Sequence, residues 1–259
     1  MGILNVTPDS FSDGGDFVSL PRALERARRM VAEGAAIIDV GGESTRPGAQ
    51  PVTTQQELER VLPVIEALSG ELPVPVSIDT SKAVVMREAV AAGAGFINDV
   101  LALRAPGALE AAREAGVPVC LMHMQGEPRT MQSDPRYQDV TRDVIRFLEQ
   151  RVAACEAGGI ARSRLLLDPG FGFGKTLEHN LLLLKNLGQL ADTGLPLLVG
   201  ISRKSMLGAL LDGAPVEQRL FAGVAAAVLA VERGAAVVRV HDVRPTLEAL
   251  KVTQAVLEA

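Results

Sequence analysis

Short apolar runs alternate along the chain with longer segments in which apolar residues recur every third or fourth position. A short run bounded by Gly, Pro, Asn or Asp is typical of a buried strand, whereas the longer period is that of an amphipathic helix. The pattern predicts eight strands, at residues 2–6, 37–40, 76–78, 96–97, 117–122, the leucine run that ends at Asp168, 197–201 and 237–240.

A helix is predicted between most successive strands and after the last. The periodicity is clearest after Thr54, where Leu58, Val61, Ile65 and Leu68 fall on one helical face. The predicted helices cover residues 20–33, 54 to about 68, a segment capped by Ser81 and ending at 92, 107–115, a long segment after 136, 181–191, 216–233 and 245–257.

Strands that alternate with helices form a parallel sheet, and eight such units close into a (β/α)8 barrel. The 259 residues suit this architecture as one α/β domain, a TIM barrel over 1–259. In such barrels the functional site lies at the carboxyl ends of the strands. The residues that follow each strand are therefore the candidates for chemistry.

The stretch from Asp168 to Lys175 illustrates this arrangement. Three leucines precede Asp168, Pro169 ends the hydrogen-bond ladder, and every second residue from Gly170 to Gly174 is glycine. Glycine allows positive φ and close approach of a ligand, so the carboxylate is predicted to open into a pocket. A simple strand cap is the alternative. A phosphate-binding P-loop is not favoured, because its first glycine is replaced by Pro169.

Polar residues stand at the ends of all eight predicted strands. They are Asn5, Asp39, Asp79, Asn98 with Asp99, His123, Asp168, the segment 202–204, and Arg239 with His241. Two chemical groups are apparent. One suits the donors and acceptors of a flat heterocycle and comprises Asp79, Asn98, Asp168 and Lys204. The other suits an oxyanion and comprises Asn5, Thr45, Arg46, Arg239 and His241, so an anionic substrate is predicted.

Composition narrows the function classes. The net charge is 26 − 31 = −5, and the chain has no tryptophan, one tyrosine and no cluster of Lys and Arg, so nucleic acid is not favoured as a partner. The run 221–231 is too short for a membrane span. Two cysteines, Cys120 and Cys155, are expected to be buried thiols of a soluble cytoplasmic protein. The chain has no HExxH or CxxC motif and no Ser/His/Asp spacing, so zinc-dependent hydrolysis and nucleophilic catalysis are not favoured.

Eight motifs, each at a predicted strand end, together resemble the dihydropteroate synthases. In order they are GILNVTPDSFSDGG, DVGGESTRPG, SIDTSK, FINDV, MHMQG, DPGFGFGK, GISRKS and RVHDV. The resemblance covers nearly the whole chain. It implies a TIM barrel in which the short hairpin that usually precedes the first strand of the family is absent. It also implies a homodimer and a target of sulfonamides.

The resemblance implies the reaction of that family, in which 6-hydroxymethyl-7,8-dihydropterin pyrophosphate and 4-aminobenzoate give 7,8-dihydropteroate and pyrophosphate. By the family pattern, Asp79, Asn98, Asp168 and Lys204 bind the pterin. Asn5, Thr45, Arg46, Arg239 and His241 bind the pyrophosphate, with Mg²⁺ held by Asn5. The catalytic set is Asp79, Asn98, Asp168, Lys204, Arg239 and His241. The aminobenzoate is framed by Phe11, Thr45, Pro47, Phe173, Lys204 and Ser205.

Two other functions stay open at the level of sequence. A pterin-dependent methyltransferase would share the pterin-reading Asp and Asn, but it has no use for Thr45, Arg46, Arg239 and His241. A non-catalytic pterin-binding barrel would be expected to lose those same groups. His123 and His179 are interpreted as structural, the second at the start of a helix.

Overall fold

The computed structural model describes residues 1–7, 20–44, 50–126 and 130–259. These residues contain eight strands, which are β1 Gly2–Asn5, β2 Ile38–Gly41, β3 Val76–Asp79, β4 Phe96–Asp99, β5 Val119–Met122, β6 Leu165–Asp168, β7 Leu197–Val199 and β8 Ala235–Val238. All neighbours are parallel and follow chain order from β1 to β8.

The sheet closes on itself between its first and last strands. The Ile3 amide donates to the Val240 carbonyl at 3.0 Å, and the Val240 amide donates to the Met1 carbonyl at 2.9 Å. Closure removes both sheet edges, so no strand is left with an unpaired ladder. The predicted (β/α)8 barrel is therefore confirmed.

Helices cover the outside of this barrel. In the described residues they are α1 Leu20–Ala32, α2 Thr54–Glu71, α3 Ala83–Ala91, α4 Ala108–Ala115, α5 Val140–Ala157, α6 Leu177–Lys185, α7 Leu187–Ala191, α8 Ser205–Leu210, α9 Leu220–Glu232 and α10 Val243–Leu257. None of them is long and apolar enough to cross a membrane. The main core lies between helices and strands and includes Ile65 of α2, Ile78 of β3 and Leu148 of α5.

Several predicted boundaries are wrong for identifiable reasons. Ser81 does not cap α3, because its hydroxyl donates instead to the Asp99 carboxylate. Helix α6 begins at Leu177 and not at 181, since Thr176 and His179 form a capping box. The last strand is shifted to Ala235–Val238 beside an irregularity at Leu197 and Leu198 of β7. The predicted helix 216–233 starts as a short 3₁₀ turn and becomes α-helical at Leu220.

The barrel interior is apolar towards the amino ends of the strands. Phe96, Cys120 and Leu198 are buried together there, and Leu166 and Val237 pack against them. Cys120 and Cys155 are both buried and free, as predicted. Side chains alternate between the two faces of a strand, so the residue two positions after each of these five also points into the barrel, nearer the carboxyl end of its strand. Asn98, Met122, Asp168, Gly200 and Arg239 occupy those positions.

Candidate active site

Strand register brings the ends of four strands, three of them polar, to one level. Asn5 pairs with Gly41, Gly41 with Asp79, and Asp79 with Asn98 across β1 to β4. A Cβ atom on Gly41 would lie 3.7 Å from Asn5 Oδ1 and 3.8 Å from Asp79 Oδ2. A Cβ atom at this position would be in van der Waals contact with both groups, so the amide oxygen of Asn5 and the carboxylate of Asp79 lie close together on either side of Gly41.

Arg239, which follows β8, joins this level across the interior of the barrel. Its Nε lies 2.5 Å from Asp39 Oδ2, and its Nη2 lies 2.7 Å from Asp79 Oδ2. Asp39 also accepts from Asn98 Nδ2 at 3.2 Å and from Ser77 Oγ at 2.5 Å. Asp79 and Asn98 of the predicted pterin group and Arg239 of the predicted oxyanion group are therefore parts of one hydrogen-bonded network.

The sequence predicts no role for two residues of this network, Asp39 and Ser77, and Asp39 is the one at its centre. The sequence shows it only as one polar strand end among many. In the structure it is fully buried and both of its oxygens are occupied. A buried carboxylate is stable as an ion only when charge and hydrogen bonds compensate it, and here Arg239, Asn98 and Ser77 do so.

Burial and opposing charges set the pKa values in this network. Burial raises the pKa of Asp79 to about 7, although the charge of Arg239 opposes the rise. Burial by itself would lower the pKa of Arg239, but the carboxylates of Asp39 and Asp79 outweigh it, so the pKa is raised. Arg239 is therefore a permanent cation at this end of the barrel.

Asp168 lies at the end of β6, as predicted. Its Oδ1 accepts from the Gly170 amide at 2.7 Å, and Gly170 has a φ of 69° that permits this tight turn. Burial raises the pKa of Asp168, while the nearby charge of Lys204 lowers it. The glycine-rich turn thus orients a buried carboxyl group. Oδ1 of Asp168 caps the end of the strand, as the strand-cap alternative predicts, and Oδ2 is not used in that bond.

Lys204 lies just before α8 and reaches back to the turn after β6. Its Nζ donates to the Phe171 carbonyl and lies 4.6 Å from the centre of the Phe173 ring, a cation–π contact. Burial lowers the pKa of Lys204 to about 8, and the charge of Asp168 opposes that shift. The structure therefore brings Lys204, Asp168 and Phe173 together, as the motifs predict. Ser205 is the exposed first residue of α8.

His241 follows β8 beside Arg239. Its Nδ1 lies 3.1 Å from Ser202 Oγ, and its amide donates to the same oxygen at 3.2 Å. Arg26 of α1 donates to the His241 carbonyl at 2.7 Å. These bonds fix the backbone and the ring of His241 at the predicted end of the barrel.

Four predicted site residues, Phe11, Thr45, Arg46 and Pro47, lie outside the described residues. His179 is at the start of α6, as predicted, where its Nδ1 accepts from the Thr176 amide. In the described part of the chain, no group of three or more His, Cys, Asp or Glu side chains is arranged to hold a metal ion.

Comparison with known proteins gives the class of this barrel. Residues 1–241 match the family model of the pterin binding enzymes. The chain belongs to the pterin-binding enzyme family, and the resemblance seen in the eight motifs is confirmed.

Its relatives make the identification specific. The chain is 56% identical to the dihydropteroate synthase of Escherichia coli K12, over all of this chain and 92% of that protein. A Yersinia pestis dihydropteroate synthase in a sulfonamide drug complex superposes with a TM-score of 0.96 at 56% identity, covering 100% of this chain and 94% of that one. A Xanthomonas albilineans dihydropteroate synthase with 4-aminobenzoic acid gives 0.95 at 52% identity, covering 100% and 93%. The chain is a transferase of the dihydropteroate synthase type.

Proposed function

We propose that the carboxyl end of this barrel joins 6-hydroxymethyl-7,8-dihydropterin pyrophosphate to 4-aminobenzoate, releasing pyrophosphate and forming 7,8-dihydropteroate. The observation that carries the proposal is the shared network of Asp79, Asn98 and Arg239, with Asp168 and Lys204 close enough to act on one another's pKa. It combines acceptors for a heterocycle with cations for a leaving anion.

The pterin ring would bind to the acceptor side of the network. Asp168 presents a carboxylate to the 2-amino group and the adjacent ring N–H, two parallel donors that match a carboxylate's two oxygens. Asp79 and Asn98 would read other nitrogens at the ring edge, and Lys204 would donate to the N5 or carbonyl side. These groups come from four different strand ends, so the barrel itself fixes their spacing.

The pyrophosphate would bind at Arg239, His241 and Asn5, together with Thr45 and Arg46. The bonds of Arg239 to Asp39 and Asp79 use its Nε and Nη2. A guanidinium has five N–H donors, so donors remain for a phosphate oxygen while the carboxylates hold the group in place. Arg239 is thus positioned before the substrate arrives.

Magnesium fits this site as a partner of the pyrophosphate. Mg²⁺ prefers hard oxygen ligands and commonly takes only one or two from the protein, with substrate phosphates and water supplying the rest. Asn5 offers its side-chain oxygen close to Gly41 and to the Asp79 carboxylate. When bound, the ion would neutralise part of the charge on the leaving oxygens.

The chemical step needs little proton transfer. The C–O bond to pyrophosphate breaks with its electron pair leaving on oxygen, and the dihydropterin stabilises the methylene cation that remains. The aromatic amine attacks this carbon and then loses a proton. Arg239 and His241 would stabilise the charge that develops on the leaving group, which is commonly the largest catalytic effect. Phe173, Lys204 and Ser205, together with Phe11, Thr45 and Pro47, would frame the aminobenzoate.

We also propose that two copies form a dimer through α9 and α10, which pack against each other. Phe221 of α9 is 83% exposed, and Val252 and Val256 of α10 are 66% and 71% exposed. Large apolar side chains exposed on two neighbouring helices commonly mark an interface. The two buried free thiols suit the reducing cytoplasm as the compartment.

Product analysis tests the proposed function. The protein is incubated with Mg²⁺ and one of three additions, which are the pterin pyrophosphate alone, 4-aminobenzoate alone, or both substrates. Pyrophosphate and 7,8-dihydropteroate are then measured. Equal amounts of the two products, only when both substrates are present, are expected. A methyltransferase or a non-catalytic binding protein would release no pyrophosphate, and that result would overturn the proposal.

A further inference from the structure

Lys175 is a buried lysine that the proposed reaction does not use. It is 3% exposed and follows the glycine-rich turn, at the position that gave the misleading likeness to a P-loop. Its Nζ lies 2.8 Å from the Gly170 carbonyl, 3.1 Å from the Phe173 carbonyl and 2.9 Å from His123 Nδ1. Three acceptors match the three donors of an ammonium group.

The partners of Lys175 are all neutral. Among the described residues no carboxylate lies within ion-pair distance of its Nζ. Burial and the charge of Lys175 lower the pKa of His123 to about 2, so its imidazole is neutral and Nδ1 can accept. Burial lowers the pKa of Lys175 itself, against the charge of Asp168. Burying a charge without a counter-ion costs stability, which indicates that the position serves the site.

The turn 170–174 is held by side chains at every carbonyl. Each of its five carbonyls accepts a hydrogen bond from a side chain. Lys175 donates to the carbonyls of Gly170 and Phe173, and Lys204 donates to that of Phe171. Gln132 donates to the Gly172 carbonyl, and the Tyr137 hydroxyl donates to the Gly174 carbonyl at 2.8 Å. The turn also packs directly on the segment after β5, because a Cβ on Gly170 would overlap the His123 carbonyl. Such a turn is fixed before any ligand binds.

We infer that Lys175 is a positioning residue, which fixes the turn 170–174 so that Phe173 and Lys204 are already aligned to receive the second substrate. The carbonyls bound by Lys175 flank the one bound by Lys204, and Phe173 lies against the Lys204 ammonium. Without Lys175 the turn loses two of its five supports. Asp79 and Asn98 keep their places, since the strands hold them, whereas Asp168 keeps its strand position and loses only part of the support that the turn gives its carboxyl group.

The inference rests on the proposed function, and kinetics of Lys175→Met and Lys175→Gln test it separately. The expected result is a rise of about tenfold or more in the KM for 4-aminobenzoate, with smaller losses of pterin affinity and kcat because Asp79 and Asn98 are unaffected. Lys175→Gln, which keeps a donor, should lie between Lys175→Met and the unaltered protein. Lys185→Met, at an exposed lysine of α6, is the matched control and should leave all three values unchanged.

If the unaltered protein makes no 7,8-dihydropteroate, the proposed function itself is refuted. If it is active, an unchanged KM in Lys175→Met, or an equal loss of pterin affinity and KM, overturns the inference. If the variants do not fold, hydrogen exchange of the unaltered protein tests the inference instead. The amides of Gly172 and Phe173, which donate to Asn180 and to Gly170, should resist hydrogen exchange without ligand. Exchange at the rate of an unstructured loop would also overturn it.

Discussion

The Nε of Arg239 lies 2.5 Å from Oδ2 of the fully buried Asp39, which joins the last strand of the barrel to the second. The two residues are 200 positions apart in sequence. Because Asp79 holds the same guanidinium at 2.7 Å, the cation has a fixed place at the centre of the strand ends. A leaving anion would therefore meet a guanidinium that needs no reorganisation.

Replacing Asp39 by Asn should lower both stability and turnover. The substitution keeps the volume but removes the buried one of the two countercharges of a partly buried cation, and we expect the free energy of unfolding to fall by about 2 to 3 kcal/mol. Urea unfolding followed by circular dichroism measures this. The control is Glu114→Gln, which removes a surface ion pair with Arg87 and should change stability by less than about 0.5 kcal/mol. Equal effects of the two substitutions would contradict the account.

Replacing Asp168 by Asn should remove most of the affinity for pterin. The amide turns one acceptor into a donor that faces a donor, and the cost is on the order of 2 to 4 kcal/mol. Calorimetry with a pterin alcohol, which lacks the pyrophosphate, measures the effect directly. Asp134→Asn, at an exposed aspartate, is the control. Unchanged binding in Asp168→Asn would show that the pocket lies elsewhere.

Pterin affinity should fall as the pH is lowered through 7. Burial raises the pKa of Asp79 to about 7, so the carboxylate is ionised and accepts hydrogen bonds above this pH but is protonated below it. If binding requires the ionised form, affinity falls about tenfold for each pH unit below the pKa. Calorimetric titrations of the pterin alcohol across this range test the prediction. Asp79→Asn should lose the inflection near pH 7, and an identical pH profile in that variant would disprove the assignment.

The fold and most of the described site residues could be predicted because each depends on local pattern. Strand ends are visible as apolar runs followed by polar residues, and eight of them in one chain leave few architectures. Asp168, Asn98 and Lys204 lie at the predicted end of the barrel for this reason. Their roles as ligands of the substrates stay predictions.

The network around Arg239 could not be predicted, because it depends on which inward positions come into contact across the barrel. Asp39 and Arg239 are separated by most of the sequence, and no local pattern distinguishes Asp39 from the other strand-end carboxylates. The role of Ser81 was misassigned for the same reason. A serine before a helix usually caps it, but here the buried Asp99 competes for the hydroxyl.

Light scattering at micromolar concentration should give twice the 27.3 kDa mass of one chain. The variant Phe221→Asp places a charge on the most exposed large apolar side chain of α9 and should shift the mass towards the monomer. Val84→Asp, at an exposed apolar residue of α3, is the control and should leave the mass unchanged. A monomer mass for the unaltered protein would refute the proposed dimer.

A crystal structure with the pterin pyrophosphate and Mg²⁺ tests the central claim most directly. The account predicts the 2-amino edge of the ring within hydrogen-bond distance of the Asp168 carboxylate. It also places the Asn98 amide beside the ring and the pyrophosphate against Arg239 and His241. A pterin bound away from the carboxyl ends of the strands, or one that does not contact Asp168, would contradict it.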